Sequence, residues 1–410
     1  MRRQDLLQLA LKSLRAHKLR SFLTLLGIII GVTTIVVVVG GISGLNRSVA
    51  KEMESFSPDV YVVTRFGIIM GRKQFIEALK RPKITWADYQ KVKAAELPHT
   101  QEVSATAGTS VDVRAGAKRT PDIQLIGVTG NFNRVFSQPV ESGAFFADAE
   151  DRAGAHVAVI GEDTRAALFP TVDPIGRTIL CRGIPFRVIG VMPKKGGGIN
   201  IGNNPDGTIY IPMSVYKQSF LVPGDSVTLN FKARGGAAQL EASQDEVRTF
   251  LRALRHTAFR APDPFGIVTQ EALLDLWKTI TGVAFSVMIL ISSISLTVGG
   301  VVIMNIMLVS VAERTQEIGQ RRAIGARKRH IQLQFLLEAA MLSSAGGVVG
   351  IALGAILIAV IRASTEFPAG MSLQLVLGAL GVSTLVGIAA GYLPARRASN
   401  LLVIDALRAE

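Results

Sequence analysis

The most informative polar residues in this chain lie at 313–329, which read ERTQEIGQRRAIGARKR. Glu313 and Glu317 are four apart, so on a helix they share one face. Gly319 and Gly325 allow a sharp break and close backbone contact. Glu313 and Glu317 mixed with Arg321 and Arg322 suit a complementary protein surface, whereas a purely basic stretch suits anionic headgroups. On composition alone, both a protein-docking helix and a lipid-headgroup anchor fit this segment.

No catalytic constellation accompanies it. The five histidines, at 17, 99, 156, 256 and 330, are isolated, and none pairs with Cys, Asp or another His at metal-ligand spacing. Cys181 is the single cysteine; it cannot close an internal disulfide and reads as an inert small apolar residue. The acidic pairs Glu150-Asp151 and Glu162-Asp163 read as surface and helix-start charges. There is no G-x-S-x-G elbow and no G-x-x-x-x-G-K-[ST] loop; Gly196-Gly197-Gly198 lacks the Lys-Ser/Thr that would follow a phosphate cradle. Neither metal nor cofactor is expected.

These residues must be positioned by membrane helices. The chain has 410 residues, 49% hydrophobic and 19% charged, with mean hydropathy +0.36. The apolar excess sits in four blocks, at 21–46, 279–312, 339–361 and 367–395, each long enough for the roughly 20 residues a span needs. The first exceeds a signal-peptide core and is followed by no A-x-A site, so it reads as a signal anchor. The net charge of +14 is read as membrane topology rather than nucleic-acid affinity. Residues 1–20 carry +5, 313–338 carry +3 and 396–410 carry +1, and all three flank apolar blocks. The expected organisation is therefore an amphipathic N-terminal helix (1–20) and a C-terminal tail (396–410) in the cytoplasm, a cytoplasmic coupling segment (313–338) between spans two and three, and residues 47–278 outside. The protein is expected to be multi-pass in the cytoplasmic (inner) membrane.

The second block has 34 residues, about 50 Å of helix against a hydrocarbon core of about 30 Å, so its outer end is expected to continue as a stalk. Gly27 and Gly31, then Gly346, Gly350 and Gly354, and finally Gly387 and Gly391 recur at spacing four, the pattern that lets membrane helices approach closely.

Residues 47–278 read as mixed α/β. Strands are expected at Val60–Thr64, Ile123–Val128, Val157–Ile160 and Val227–Lys232, and a hairpin at Arg182-Gly183 between Thr178–Leu180 and Phe186–Val191. Helices are expected after Thr85, where Asp88 completes a capping box, from about Asp163 to Phe169, and over Leu240–Leu254. Lys194–Gly207 reads as a loop. The element order suggests one subdomain split by a β-rich insert at about 140–215.

Residues 299–338, GGVVIMNIMLVSVAERTQEIGQRRAIGARKRHIQLQFLLE, closely resemble the corresponding segment of the MacB/FtsX-like ABC transporter permease family. Leu14–Gly31, Gly143–Phe146, Val157–Gly161, Leu168-Phe169, Asp173–Gly176, Ile209–Pro212, Leu393–Ala398 and Asp405–Arg408 resemble it too, so the likeness covers nearly the whole chain. Departures are Val403 where Pro is usual, Asp405 for Glu, Gln320 for an aliphatic residue, and Gly41–Asn46, which lacks the common Gly-Glu-Gly. The resemblance implies a membrane protein with four transmembrane helices and a large extracytoplasmic α/β domain, in which a porter-like subdomain holds an inserted β-rich one.

It further implies a permease subunit that is not itself an enzyme. ATP would be bound by a separate ABC ATPase, whose hydrolysis moves the periplasmic domain by mechanotransmission. Implied partners are that ATPase, a second permease copy or paralogue, the lipid membrane, and in some relatives a periplasmic adaptor with an outer-membrane channel; nucleic acid is not among them. By motif match, Glu313, Arg314, Glu317, Ile318, Arg321, Arg322 and Gly325 would couple to the ATPase. The alternative reading is an ATP-independent transmembrane receptor, or an FtsX-like regulator of cell-wall hydrolases.

Overall fold

The computed structural model describes residues 18–54, 57–194, 205–222, 225–364, 369–403 and 406. Most of the expected N-terminal helix, most of the Lys194–Gly207 loop and part of the tail lie outside these residues. The chain divides into two compact units, one of 1–47 with 279–410 and one of 48–278.

Helix α1 (Lys18–Glu54) opens the described chain. The second unit then runs β1 (Val60–Thr64), α2 (Arg72–Leu79), α3 (Trp86–Ala94), β2 (Thr100–Ala115), β3 (Lys118–Val128), α4 (Phe132–Phe136), β4 (Ser142–Gly143), α5 (Asp148–Ala153), β5 (Val157–Ile160), α6 (Glu162–Leu168), β6 (Thr178–Cys181), β7 (Ile184–Val191), β8 (Thr208–Pro212), α7 (Met213–Ser219), β9 (Thr228–Ala233), α8 (Leu240–Leu254) and β10 (Gly266–Thr269).

Hydrogen bonds join the strands in the order β10-β1-β9-β2-β3-β8-β5-β7-β4, and β6 pairs with both β2 and β7. The circuit β2-β3-β8-β5-β7-β6 therefore closes on itself. Closure removes exposed edges and puts alternate residues of every strand inside. Val111 and Val113, Ile123 and Leu125, Ala158 and Ile160, Ile179 and Cys181, Phe186 and Val188, and Ile209 and Ile211 all belong to one buried apolar cluster. This moves the boundary of the β-rich part. It is not confined to about 140–215, because closure requires β2 and β3 from outside that range. The pairing of β3 with β8 is parallel, from Gln124↔Thr208 to Val128↔Pro212.

Local chemistry explains the elements that position this unit. Thr85 accepts from the Asp88 amide at 3.2 Å and Asp88 accepts from the Thr85 amide at 2.8 Å, a complete capping box for α3. Arg182 and Gly183 both take positive φ (49° and 84°), which matches the twist of the β6–β7 hairpin. On β1, Tyr61 stacks on Phe231 at 5.1 Å and donates to the Ser243 carbonyl at 3.0 Å, tying the sheet to α8. Burial pushes the Tyr61 phenol above its ordinary range. The Cys181 thiol is pushed up to about 12 by burial, so almost no thiolate exists at neutral pH.

The first unit takes its remaining helices from α9 (Gln270–Glu313), α10 (Thr315–Ala323), α11 (Lys328–Ser364) and α12 (Leu373–Asn400). Among the described residues, four helices (α1, α9, α11 and α12) are long and apolar enough to cross a membrane. Helix α9 begins at Gln270, ahead of the apolar block, and with α10 and with α11 from Lys328 most of the charged segment 313–338 is regular helix. Backbone hydrogen bonding continues past the point where side chains turn polar.

Small residues set the packing of these helices. A Cβ on Gly27 would meet the Gly299 Cα at 2.8 Å, and one on Gly31 would meet Leu296 at 3.0 Å, so α1 lies directly on α9. Gly346, Gly350 and Gly354 face Ile28, Val32 and Val36 of α1, and Thr33 donates to the Gly350 carbonyl at 3.0 Å. Gly387 and Gly391 face Ser343 and Ala339 of α11, and the Ser344 and Thr384 hydroxyls bond at 2.9 Å. Ser372 caps α12 by accepting from the Leu375 amide at 3.2 Å.

Candidate functional site

Segment 313–329 is a short helix held between two long ones. Helix α9 ends at Glu313, and Arg314 leaves helical geometry (φ −107°, ψ 16°) before α10 begins at Thr315. Helix α10 closes on a glycine cap. The Ala326 amide donates to the Arg321 carbonyl and the Gly325 amide to the Arg322 carbonyl, both at 3.1 Å, while Gly325 takes φ +102°. This is the Schellman arrangement, and its left-handed position favours glycine.

The seven residues picked out by motif divide into two faces. Arg314 turns inward and pairs with the Glu338 carboxylate of α11 at 3.3 Å. Ile318 is buried in the helix-bundle core. Arg322 donates to the Ser399 carbonyl at 3.3 Å and to the Leu401 carbonyl, at the end of α12. Arg321 is half-buried, donating to the Gln334 side chain at 2.8 Å and pairing with Glu317. Glu313, Glu317 and Gly325 are exposed. The inward group fastens the helix, and the outward group faces whatever lies beyond it.

Ile324, which motif reasoning passed over, and Gly319, read in sequence as allowing close backbone contact, complete the picture. Ile324, between α10 and Gly325, is 88% exposed, an isolated large apolar side chain amid polar neighbours. Gly319 is buried, and a Cβ there would meet the Ala406 Cβ at 2.7 Å. The signal for Ile324 was present in the sequence: it is an aliphatic residue in RRAIGARKR with Gln320, Arg321, Arg327 and Lys328 at the positions three and four away.

The outward surface, Glu313, Gln316, Glu317, Gln320 and Ile324 followed by Arg327, Lys328 and Arg329, holds no nucleophile–base pair. It presents an apolar knob, Ile324, within a polar, mixed-charge rim. Among the described residues no three His, Cys, Asp or Glu side chains come together to hold a metal.

Cavities also lie elsewhere among the described residues. One of about 590 Å³ in the sheet unit is lined by Lys93, Glu96, Glu102, Asn131, Arg134 and Arg234 among others. Arg134 there bridges Glu102 at 2.9 Å and Asp148 at 2.8 Å, so its charge is spent on joining β2 to α4 and α5. An apolar groove of about 470 Å³ lies between α9 and α12, over Gly300 and Val386.

The family model for the MacB-like periplasmic core domain matches residues 21–250, and that for the FtsX-like permease C-terminal region matches residues 289–403. The macrolide export ATP-binding/permease protein MacB of Azoarcus sp. (strain BH72) is 36% identical over 403 residues, 98% of this chain and 59% of that protein. The pyoverdine export ATP-binding/permease protein PvdT of Pseudomonas syringae pv. tomato is 32% identical over 407 residues, 99% of this chain and 60% of that protein. Among solved structures, the periplasmic region of MacB from Actinobacillus actinomycetemcomitans aligns with TM-score 0.45 at 16% identity, over 56% of this chain and 96% of that one. The chain thus spans about three fifths of the length of these curated relatives. With one model over the first span and the sheet unit and the other over the last three spans, the chain belongs to the family that joins a MacB-like periplasmic core domain to an FtsX-like permease region.

Proposed function

We propose that this chain is the permease subunit of an ABC export complex, anchored in the cytoplasmic membrane with both termini and α10 on the cytoplasmic side and residues 47–278 outside. An ABC ATPase docks on the outward face of α10. ATP is bound and hydrolysed there and not on this chain. Displacement of α10 passes into the spans that hold it and on to the external unit, the mode of action called mechanotransmission. The permease works as a pair, with a second copy or paralogue, and a periplasmic adaptor with an outer-membrane channel would extend the export path.

The observation that carries this reading is the two-faced construction of α10. Arg314, Ile318 and Arg322 bind it to its own bundle, while Glu317 and Ile324 stand outward. A lipid anchor needs neither the carboxylates nor the rigid inner attachment. The Lys/Arg bias of the flanking segments supports the orientation.

The test is the double reversal Glu317→Lys with Arg321→Glu. It keeps an opposite-charge pair four residues apart within α10 and inverts the charge shown to a partner, at the loss of the Arg321–Gln334 bond, so Arg321→Gln serves as the control for that loss. Co-purification of the ATPase and reconstituted transport should both fall at least about tenfold. Unchanged binding and transport would show the segment to be a headgroup anchor. Orientation is read separately: alkaline phosphatase fused near Gly207 should be active and at Glu410 inactive, and the opposite pattern would reverse the topology.

A further inference from the structure

We infer that the end of the fourth long helix and the tail after it form a clamp on α10, so that α10 is mechanically tied to α12 as well as to its chain neighbours α9 and α11.

The argument begins with unsatisfied backbone. The last four carbonyls of a helix have no intrahelical donor, and they carry the negative end of its dipole. Helix α12 ends at Asn400, and its terminal carbonyls are met by a cation from elsewhere in the chain. Arg322 of α10 donates to the Ser399 and Leu401 carbonyls. Lys328, the first residue of α11, donates to the Asn400 side chain at 3.2 Å. Thus α10 supplies the C-cap of a helix almost eighty residues further along.

Packing gives a second, independent attachment. The tail returns so that Ala406, 1% exposed, lies against the backbone of Gly319, a contact that leaves no room for a larger residue. Ala395, Ala398 and Ser399 at the end of α12 are buried in the same region. The chain neighbours hold α10 from the other direction, through Arg314 to Glu338 and Arg321 to Gln334. A push on α10 is therefore delivered to α12 through two short, directional contacts rather than through a loose terminus. Arg322 acts here as a positioning residue, not as a group that touches the ATPase.

The transmission consequence rests on the proposed function, but the clamp is testable in the permease alone. Gly319→Leu, whose side chain the Ala406 contact leaves no room for, should raise amide exchange at Ala398–Leu401 in the full-length protein in membranes about tenfold. Arg322→Gln should raise amide exchange at Ala398–Leu401 about tenfold without changing exchange in α11; Arg322→Lys, which keeps one donor, should recover part of this. Asn400→Ala removes the Lys328 bond without stranding a buried charge and should raise the same exchange about threefold. In the ATPase-loaded complex, Arg322→Gln should cut transport per ATP hydrolysed while leaving ATPase binding intact. Exchange at the end of α12 indifferent to Gly319→Leu, Arg322→Gln and Asn400→Ala would overturn the clamp. Failure of the wild-type chain to bind any ABC ATPase would instead overturn the proposed function and leave the clamp standing.

Discussion

The two units of this chain are packed by opposite means. In the sheet unit the largest fully buried side chains are Tyr61, Tyr216, Phe146, Phe186 and Phe231, and the closed circuit of strands is filled by alternating branched residues. In the helical unit the contacts are made by Gly27 on Gly299, by Gly350 on Val32 and by serines such as Ser343 and Ser383, while Leu353, Ile356 and Val360 point away from the protein. The difference follows from the solvent. Water drives large apolar groups inward, whereas lipid is as apolar as leucine, so helices in it gain by close van der Waals contact and interhelical hydrogen bonds. Each unit should therefore tolerate the substitution that the other does not.

Four changes probe that contrast, in falling order of effect. Phe231→Ala opens a cavity against Tyr61 in the sheet and should cost about 4 kcal/mol, read as accelerated amide exchange throughout β1 and β9. Gly350→Leu should cost about 3 kcal/mol, because even its Cβ would lie 2.9 Å from the Val32 Cβ and 3.0 Å from the Ile29 carbonyl. The full-length protein in detergent should then melt earlier and elute more broadly; a profile like wild type would show that this glycine face does not hold α11 to α1. Thr85→Ala, which deletes the capping box of α3, should cost about 1 kcal/mol, seen as local exchange in residues 86–94. Leu353→Ala, at a position 43% exposed, should change detergent-solubilised stability by less than about 0.5 kcal/mol. If Leu353→Ala proved as damaging as Phe231→Ala, the helical unit would have a water-type core and the contrast would fail.

How much of this was legible in the sequence depended on the range of the interaction. The capping box at Thr85, the strand Val157–Ile160 and the helix Leu240–Leu254 are all local patterns, and each was readable from its own residues. The long strand β2 was not, because TQEVSATAGTSVDVRA fills its inward positions partly with alanine and threonine, leaving little hydrophobic contrast along much of its length. The closed circuit was also hidden, since it depends on β3 meeting β8 and β2 meeting β6 across some seventy to eighty residues. The same holds at α10. Its charges and glycines marked it from the sequence, but which arginine faces inward is decided by the carbonyls of Ser399 and Leu401, far along the chain. Arg322 therefore reads as a docking residue in sequence and is fastened to the end of α12 in the structure, while Ile324, which the motif did not single out, stands exposed.

That reassignment is what the central claim stands on, and a photo-crosslinker placed at Ile324 tests it most directly. With p-benzoylphenylalanine at this position in the intact membrane complex, the account predicts one dominant adduct, to an ABC ATPase, formed at least about tenfold more efficiently than from position 116 in the β2–β3 turn of the sheet unit. Adducts confined to lipid, or no adduct where the ATPase is demonstrably present, would contradict the docking role of α10.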